Sequence, residues 1–367
     1  MKKNIFSFDR FLLINVFILA LLGLINFYSA STYYSLIKTG NSLTYFKDFF
    51  VKDFILGFFF FFIGNLLGQK WNKFKPLFLF FFFLAYLFLI LVLILPFSLQ
   101  VGEARRWFNL GGFAFQPAET IKPLSILVLS FLLGANLRSS LKVKIILFLS
   151  FSFLVILPIF LEPSLSNSLI LAIALFFSSL VFLNSPKEIF SFSLFTFTFL
   201  IILVLIGILF WGYRQERILS FLTKGALHQE RFFQLKQTTI AIASGGFWGK
   251  GLGKSQMKIL TLPQMLTDSI FAIYAEELGF LGSLALIILF IILFLRILFL
   301  AFNNPDLEKR AFCLGVFGWL VTQTFLHLMS NIGVFVPTGV VLPFFSLGAS
   351  SQIAIYFSLG LISSLRN

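Results

Sequence analysis

The chain has 367 residues, of which 59% are hydrophobic, 11% are charged and 56 are Phe, more apolar surface than one soluble core can bury. That composition points to an integral membrane protein. It excludes a disordered chain, a coiled coil and a collagen-like repeat, and with Cys313 as the single cysteine it excludes a disulfide scaffold. The formal charge is +14, and its meaning depends on where the cations fall along the membrane segments, so no nucleic-acid partner is implied.

A helix needs about 17 to 25 apolar residues to cross roughly 30 Å of hydrocarbon. Such runs lie near 11–30, 52–68, 76–97, 120–137, 145–162, 167–184, 189–211, 268–295, 311–330 and 339–363. They predict an all-α integral membrane protein of about ten transmembrane helices, a single polytopic domain over 1–367 with one large extracytoplasmic loop, 212–266, between helices 7 and 8. Runs such as Leu77 to Leu95 are apolar on every face, which suits helices and not the alternating strands of a barrel. The first run follows Lys2, Lys3 and Arg10 without a small-residue cleavage pattern before Tyr28, so it is read as an anchor.

With the N-terminus inside, Lys70, Lys73, Lys75, Arg138, Lys142, Lys144, Lys187, Arg296, Lys309, Arg310 and Arg366 join the N-terminal cations on the cytoplasmic side. Only Lys38, Lys47, Lys52, Arg105 and Arg106 fall in short outer loops. The positive-inside bias therefore predicts both termini in the cytoplasm. The long loop carries Arg214, Arg217, Lys224, Arg231, Lys236, Lys250, Lys254 and Lys258 against Glu216 and Glu230; long loops escape the charge rule, and this one is expected to attract an anion.

Charges in or beside spans cost roughly 2.5 to 3.5 kcal/mol each on insertion, so each needs a partner or a purpose. Arg105 and Arg106, beside Trp107, suit bidentate phosphate contacts. Glu119 and Lys122 are three apart on one helix face and are expected to pair. Asp268 opens the eighth span at its outer rim, as a proton acceptor for a sugar hydroxyl or as a helix N-cap. Glu276 and Glu277, deeper in the same helix, are read as structural polar residues that hold the bundle through buried pairing.

Two glycine-rich blocks remain. Ser244 to Lys254 lacks the GxxxxGK[ST] pattern of a nucleotide loop and is read as a close re-entrant turn. Asn331 to Ser351 reads as a broken helix lining a cavity. His327, just before it, has no second His or Cys nearby, so no permanent metal site is expected.

Taken together, GLINFYSAS (Gly23 to Ser31), GEARRWFNLGGFAFQPAETIK (Gly102 to Lys122), RILSFL (Arg217 to Leu222), QLKQTTIAIASGGFWGKGLGKS (Gln234 to Ser255), TDSIFAIYAEELGFLG (Thr267 to Gly282) and LPFFSLGASS (Leu342 to Ser351) resemble the SEDS family of membrane glycosyltransferases, which includes FtsW, RodA and SpoVE. The Arg105-Arg106-Trp107 and Ser29-Ala30-Ser31 blocks stand slightly nearer to FtsW. The resemblance implies ten membrane helices and a peptidoglycan glycosyltransferase that polymerises lipid II, an undecaprenyl diphosphate-linked disaccharide-pentapeptide, at the outer face of the cytoplasmic membrane for division or elongation. Asp268 matches the family's essential aspartate. Arg105, Arg106, Glu119 and Lys122 match its polar cavity, and Arg217, Gln234 and Lys250 match positions of its outer loop, all expected to contact substrate. Weakly held Mg²⁺ or Mn²⁺ near Asp268 is expected, with no organic cofactor. A class B penicillin-binding protein transpeptidase and other division or elongation proteins are the implied partners.

The chain departs from the family pattern at Glu162 to Asn167, where relatives read QPDLGT, and around Gln264 to Leu266, where a Glu and a His are lost. The segment between Asn331 and Leu342 is also shorter. A lipid II flippase or a noncatalytic scaffold of the cell-wall complex stays open as an alternative; the absence of an internal repeat disfavours the flippase.

Overall fold

The structure is a computed structural model that describes residues 8–94, 99–101, 104–111, 113–210, 215, 229–260 and 264–365. Its helices are α1 (Arg10–Thr39), α2 (Thr44–Phe49), α3 (Leu56–Gln69), α4 (Trp71–Ile94), α5 (Pro117–Ala135), α6 (Leu141–Leu161), α7 (Leu165–Ser179), α8 (Pro186–Phe210), α9 (Gln229–Gly245), α10 (Ile270–Phe302), α11 (Leu307–Ile332) and α12 (Ala349–Ser363). A π-helical turn, Phe50–Ile55, joins α2 to α3 in one rod. Among the described residues, nine helical segments are long and apolar enough to cross a membrane, and α12 is a shorter apolar helix. Phe80, Phe83, Ile146, Phe190, Phe197 and Leu209 project outward as exposed side chains, as lipid-facing positions of a multi-pass membrane protein do.

The last apolar run is helical only from Ala349. Helix α11 ends at Gly333, whose φ of 85° forms the left-handed cap, and the chain then runs without regular helix to α12. Ahead of α5, where the sequence predicts a short outer loop, lies an antiparallel ribbon, β1 (Leu99–Val101), β2 (Ala104–Leu110) and β3 (Phe113–Phe115). Phe108 faces Phe115 across it, and Phe88 of α4 packs edge-on against both rings. Within 212–266, Gln229–Gly245 forms a helix, α9, that lies along α10.

Close helix packing comes from small residues. A Cβ at Gly64 would strike the Phe357 carbonyl oxygen, and one at Gly360 the Phe61 carbonyl oxygen, so α3 and α12 approach backbone to backbone as membrane helices with small interfacial residues do. At one end of the bundle, buried Asp9 caps α1 by accepting from Leu12 N at 2.8 Å and binds both Nε and Nη2 of Arg296 on α10. Asp9 N also donates to Ser363 O at 3.0 Å, so the start of α1 and the end of α12 share this end. Asp268 lies just before the N-terminal end of α10 and Arg296 towards its other end, so Asp268 stands at the opposite end of the bundle from Asp9.

Candidate functional site

Asp268 sits in the turn Gln264–Ser269 that precedes α10. The helix cap is Ser269, with no side-chain cap bond, so Asp268 is not the N-cap; it stands one residue earlier, partly exposed. The turn is held by its own backbone, Asp268 N donating to Gln264 O at 2.9 Å. Asn331, at the end of α11, donates through Nδ2 to Asp268 O at 2.8 Å. Beyond α11, Ser346 Oγ donates to Thr267 O at 2.6 Å and Leu347 N to Leu266 O at 3.0 Å. Gly339 flanks the carboxylate: a Cβ there would lie 3.6 Å from Asp268 Oδ2. The backbone around Asp268 is therefore fixed from three directions.

A second group lies across the 338–339 backbone. Ser166 Oγ donates to Thr338 O at 3.3 Å, and the neighbouring Asn167 accepts from Lys122 Nζ at 3.0 Å. Lys122 pairs with Glu119 at 2.8 Å, both buried, and its ammonium lies 5.7 Å from the centre of the Trp319 ring. Arg106, on β2, donates through Nε to Glu162 O at 2.8 Å and through Nη2 to Pro163 O at 2.5 Å, so its guanidinium ties the ribbon to the α6–α7 turn. The Glu162 carboxyl itself is wholly buried, and neither oxygen has a hydrogen-bond partner. Burial pushes it well above the usual carboxylate range; Arg106 pulls it back down and Glu119 adds to the rise. The Glu119 Oε2, His327 Nε2, Asn331 Oδ1 and Thr338 Oγ1 atoms are likewise buried without a protein partner, so the interior between α5, α7, α11 and the 333–348 segment is polar.

The third group closes the glycine-rich loop onto α10. Glu276 accepts from Lys250 Nζ at 2.7 Å, Ser255 Oγ at 2.5 Å, Ser244 Oγ at 3.2 Å and the N–H groups of Gln256 and Met257 at 3.2 Å. Glu277 accepts from Ser29 Oγ of α1 at 2.7 Å and pairs with Lys258 at 3.3 Å. Helix α10 kinks here at Gly279, φ 66° and ψ −162°, and the exposed backbone receives the loop: Lys250 N donates to Glu276 O and Gly251 N to Glu277 O. This close approach accounts for Gly245 and Gly249, where a Cβ would collide with Ala275 O and Glu277 O. They also correct the picture of a loop short of acids, because α10 supplies carboxylates to two of its lysines.

Of the residues singled out from sequence, Asp268, Arg106, Glu119 and Lys122 are thus linked through the 338–339 and 162–167 segments, whereas Lys250 joins the Glu276 group. Arg217 lies outside the described residues. The backbones of Arg105 and Gln234 belong to β2 and α9, and their side chains lie outside the described ones. Sequence reasoning missed Asn167 and Asn331, polar residues whose role depends on partners far along the chain. For a divalent ion, no three His, Cys, Asp or Glu come together among the described residues; Asp268 offers one carboxylate, so such an ion would draw its other oxygens from substrate and water, as Mg²⁺ does at phosphates.

The family model described as "Cell cycle protein", covering FtsW, RodA and SpoVE, matches residues 9–367. A probable peptidoglycan glycosyltransferase FtsW of Wigglesworthia glossinidia brevipalpis is 33% identical, over 98% of this chain and 93% of its own. Stage V sporulation protein E of Bacillus subtilis is 29% identical over 96% of this chain and 95% of its own. Among solved structures, a chain from the work described as "Structural coordination of polymerization and crosslinking by a peptidoglycan synthase complex" superposes with a TM-score of 0.76 at 25% identity, covering 98% of this chain and 97% of that one. The rod shape determining protein RodA of Thermus thermophilus gives 0.70 at 25% identity, over 97% and 96%. With a family model matched from Asp9 to the last residue and a relative 33% identical over 98% of its length, the chain belongs to the FtsW/RodA/SpoVE family.

Proposed function

We propose that the chain is a peptidoglycan glycosyltransferase that polymerises lipid II, with Asp268 as general base. The observation that carries this reading is Asp268 itself: a partly exposed carboxylate on a turn whose backbone is fixed by Asn331, Ser346 and Leu347, beside a polar interior. A base held in place needs no reorganisation when the acceptor arrives. Asp268 takes the proton of the acceptor sugar's 4-hydroxyl as its oxygen forms the new bond to the donor's anomeric carbon. The bond from that carbon to the diphosphate breaks on the opposite side, and the electron pair leaves on the diphosphate, so configuration inverts without a covalent enzyme intermediate.

The diphosphate is assigned to the cationic side of the site, with Arg106 foremost and Arg105, Arg217, Gln234 and Lys250 as the further contacts the family pattern suggests. Glu119 and Lys122 are assigned to the polar interior that also holds Glu162. A Mg²⁺ or Mn²⁺ held by Asp268 and substrate oxygens would neutralise leaving-group charge. The distribution of Lys and Arg supports a cytoplasmic Asp9 end and an Asp268 end facing the cell exterior. The likeness to a chain of a peptidoglycan synthase complex supports a class B penicillin-binding protein transpeptidase as partner. The test is polymerisation of lipid II by the purified chain with that partner; no glycan strands from the native pair would end the proposal.

A further inference from the structure

Asp53 is a buried carboxylate in the second span, 2% exposed, that the reaction described above does not use. It lies on the π-helical turn Phe50–Ile55. A π turn adds one residue to the helical cycle and so rotates the preceding face by about 100°, a distortion found most often at functional positions. Here the rotated face carries Asp53 against the start of α12, where its Oδ1 accepts from Gly348 N at 2.9 Å. Gly348 is the cap residue of α12, and its own N–H, the donor that an N3 side chain accepts in a capping box, is here met by a carboxyl group from another helix. Asp53 Oδ2 has no hydrogen-bond partner.

The residues just before Gly348 reach the other way. Leu347 N donates to Leu266 O and Ser346 Oγ to Thr267 O, the two residues that precede Asp268. Three consecutive residues therefore bridge Asp53 on one side and the Asp268 turn on the other. The bridge is stiffened from within: Ser346 Oγ also accepts from Leu342 N at 2.8 Å, and Gln352 accepts from Phe344 N at 2.8 Å while donating to Ser346 O at 3.0 Å. Phe344 is held at φ 68°, a left-handed conformation that a bulky residue keeps only where its surroundings fix it.

We propose that Asp53 is a positioning residue for Asp268, acting through the 346–348 bridge; this rests on the reading of Asp268 as base. What it supplies is an acceptor oxygen at Gly348 N, not a contact with substrate. Removing it frees the start of α12, and with it the seat of the Asp268 turn, while the substrate contacts stay in place.

The experiment uses the full chain with its transpeptidase partner and lipid II, and reads kcat, KM and amide hydrogen exchange over 264–269 without substrate. Asp53→Ala is expected to lower kcat by about tenfold, the loss of the buried acceptor at Gly348 N, with KM within about twofold and faster exchange in the turn. Asp53→Asn, which keeps an acceptor oxygen, is expected to restore kcat to within about threefold of the parent. Should Asp53→Ala fail to fold, Ser346→Ala carries the same expectation from the far end of the bridge. Unchanged exchange in the turn, or Asp53→Asn as damaged as Asp53→Ala, would overturn the proposal. Exchange needs no turnover, so it is read separately from the base assignment, which Asp268→Asn tests in the same assay.

Discussion

Lys250 Nζ lies 2.7 Å from Glu276 Oε1, joining the glycine-rich loop to the helix that begins beside Asp268. The two partners are not equivalent. Lys250 is one of five donors to Glu276, the others being Ser244, Ser255 and the N–H groups of Gln256 and Met257. Lys250→Ala leaves the carboxylate well solvated by the loop and is expected to cost about 1 to 2 kcal/mol. Glu276→Ala removes the acceptor these donors share, leaving the buried Ser255 hydroxyl and Met257 N–H unpaired while Ser244 keeps its bond to Ala241 O, and is expected to cost about 3 to 5 kcal/mol. Thermal unfolding of the two variants in one detergent checks the order; a larger loss for Lys250→Ala would contradict it.

The pair Glu119 and Lys122 predicts a different pattern. Lys122→Met leaves a buried carboxylate with Asn167 bound to nothing, at an expected cost of about 3 to 5 kcal/mol. The double variant Lys122→Met with Glu119→Gln removes both charges and is expected to recover part of that loss. A double variant less stable than Lys122→Met alone would show that the two do not act as a pair.

At Glu162 the chain buries a carboxyl without a hydrogen-bond partner for either oxygen, and burial favours its protonated form. A raised folded pKa means that the native state holds the proton more tightly than the unfolded chain. Its stabilising share is complete below the unfolded value of 4.5 and is lost as pH rises through the raised folded value. Glu162→Gln, which resembles the neutral acid, is expected to remove this pH dependence and to match or exceed the parent's stability at pH 8. An unfolding midpoint for Glu162→Gln that falls with pH as steeply as the parent's would contradict the assignment.

Gly279 makes a prediction about shape. Its φ and ψ of 66° and −162° belong to a region open almost only to glycine, and a Cβ would meet the backbone of Trp248 and Gly249. Gly279→Ala is expected to cost at least about 1 to 3 kcal/mol from strain alone and to release the loop from α10, seen as increased protease cleavage between Gly245 and Leu260. An intact loop in this variant would show that the kink is not what seats it.

Much of this architecture is legible in the sequence because membrane spans are local: any 20-residue run as apolar as Leu77 to Leu95 declares itself. The same holds for Glu119 and Lys122, whose spacing of three puts them on one face. What sequence could not supply are partners set by topology. Nothing in the sequence tells that Arg106, read as a phosphate ligand, also donates to the Glu162 and Pro163 carbonyl oxygens, or that the kink at Gly279 brings Glu276 to Lys250. Asp53 gave no signal at all, since its meaning depends on a helix that starts about 300 residues later and on an extra residue in a helical turn. The last apolar run overestimates its helix because apolar residues from Val340 to Phe345 pack as irregular backbone inside protein, which composition does not distinguish from helix.

The central claim is that one carboxylate, Asp268, accepts the proton in glycan polymerisation. Strand synthesis from lipid II by the purified chain and its transpeptidase partner, compared with Asp268→Asn at equal folded concentration, tests it most directly. The account predicts a loss of at least about 100-fold, the usual worth of a positioned general base, with lipid II binding retained. Strands formed by Asp268→Asn at the parent's rate would contradict it.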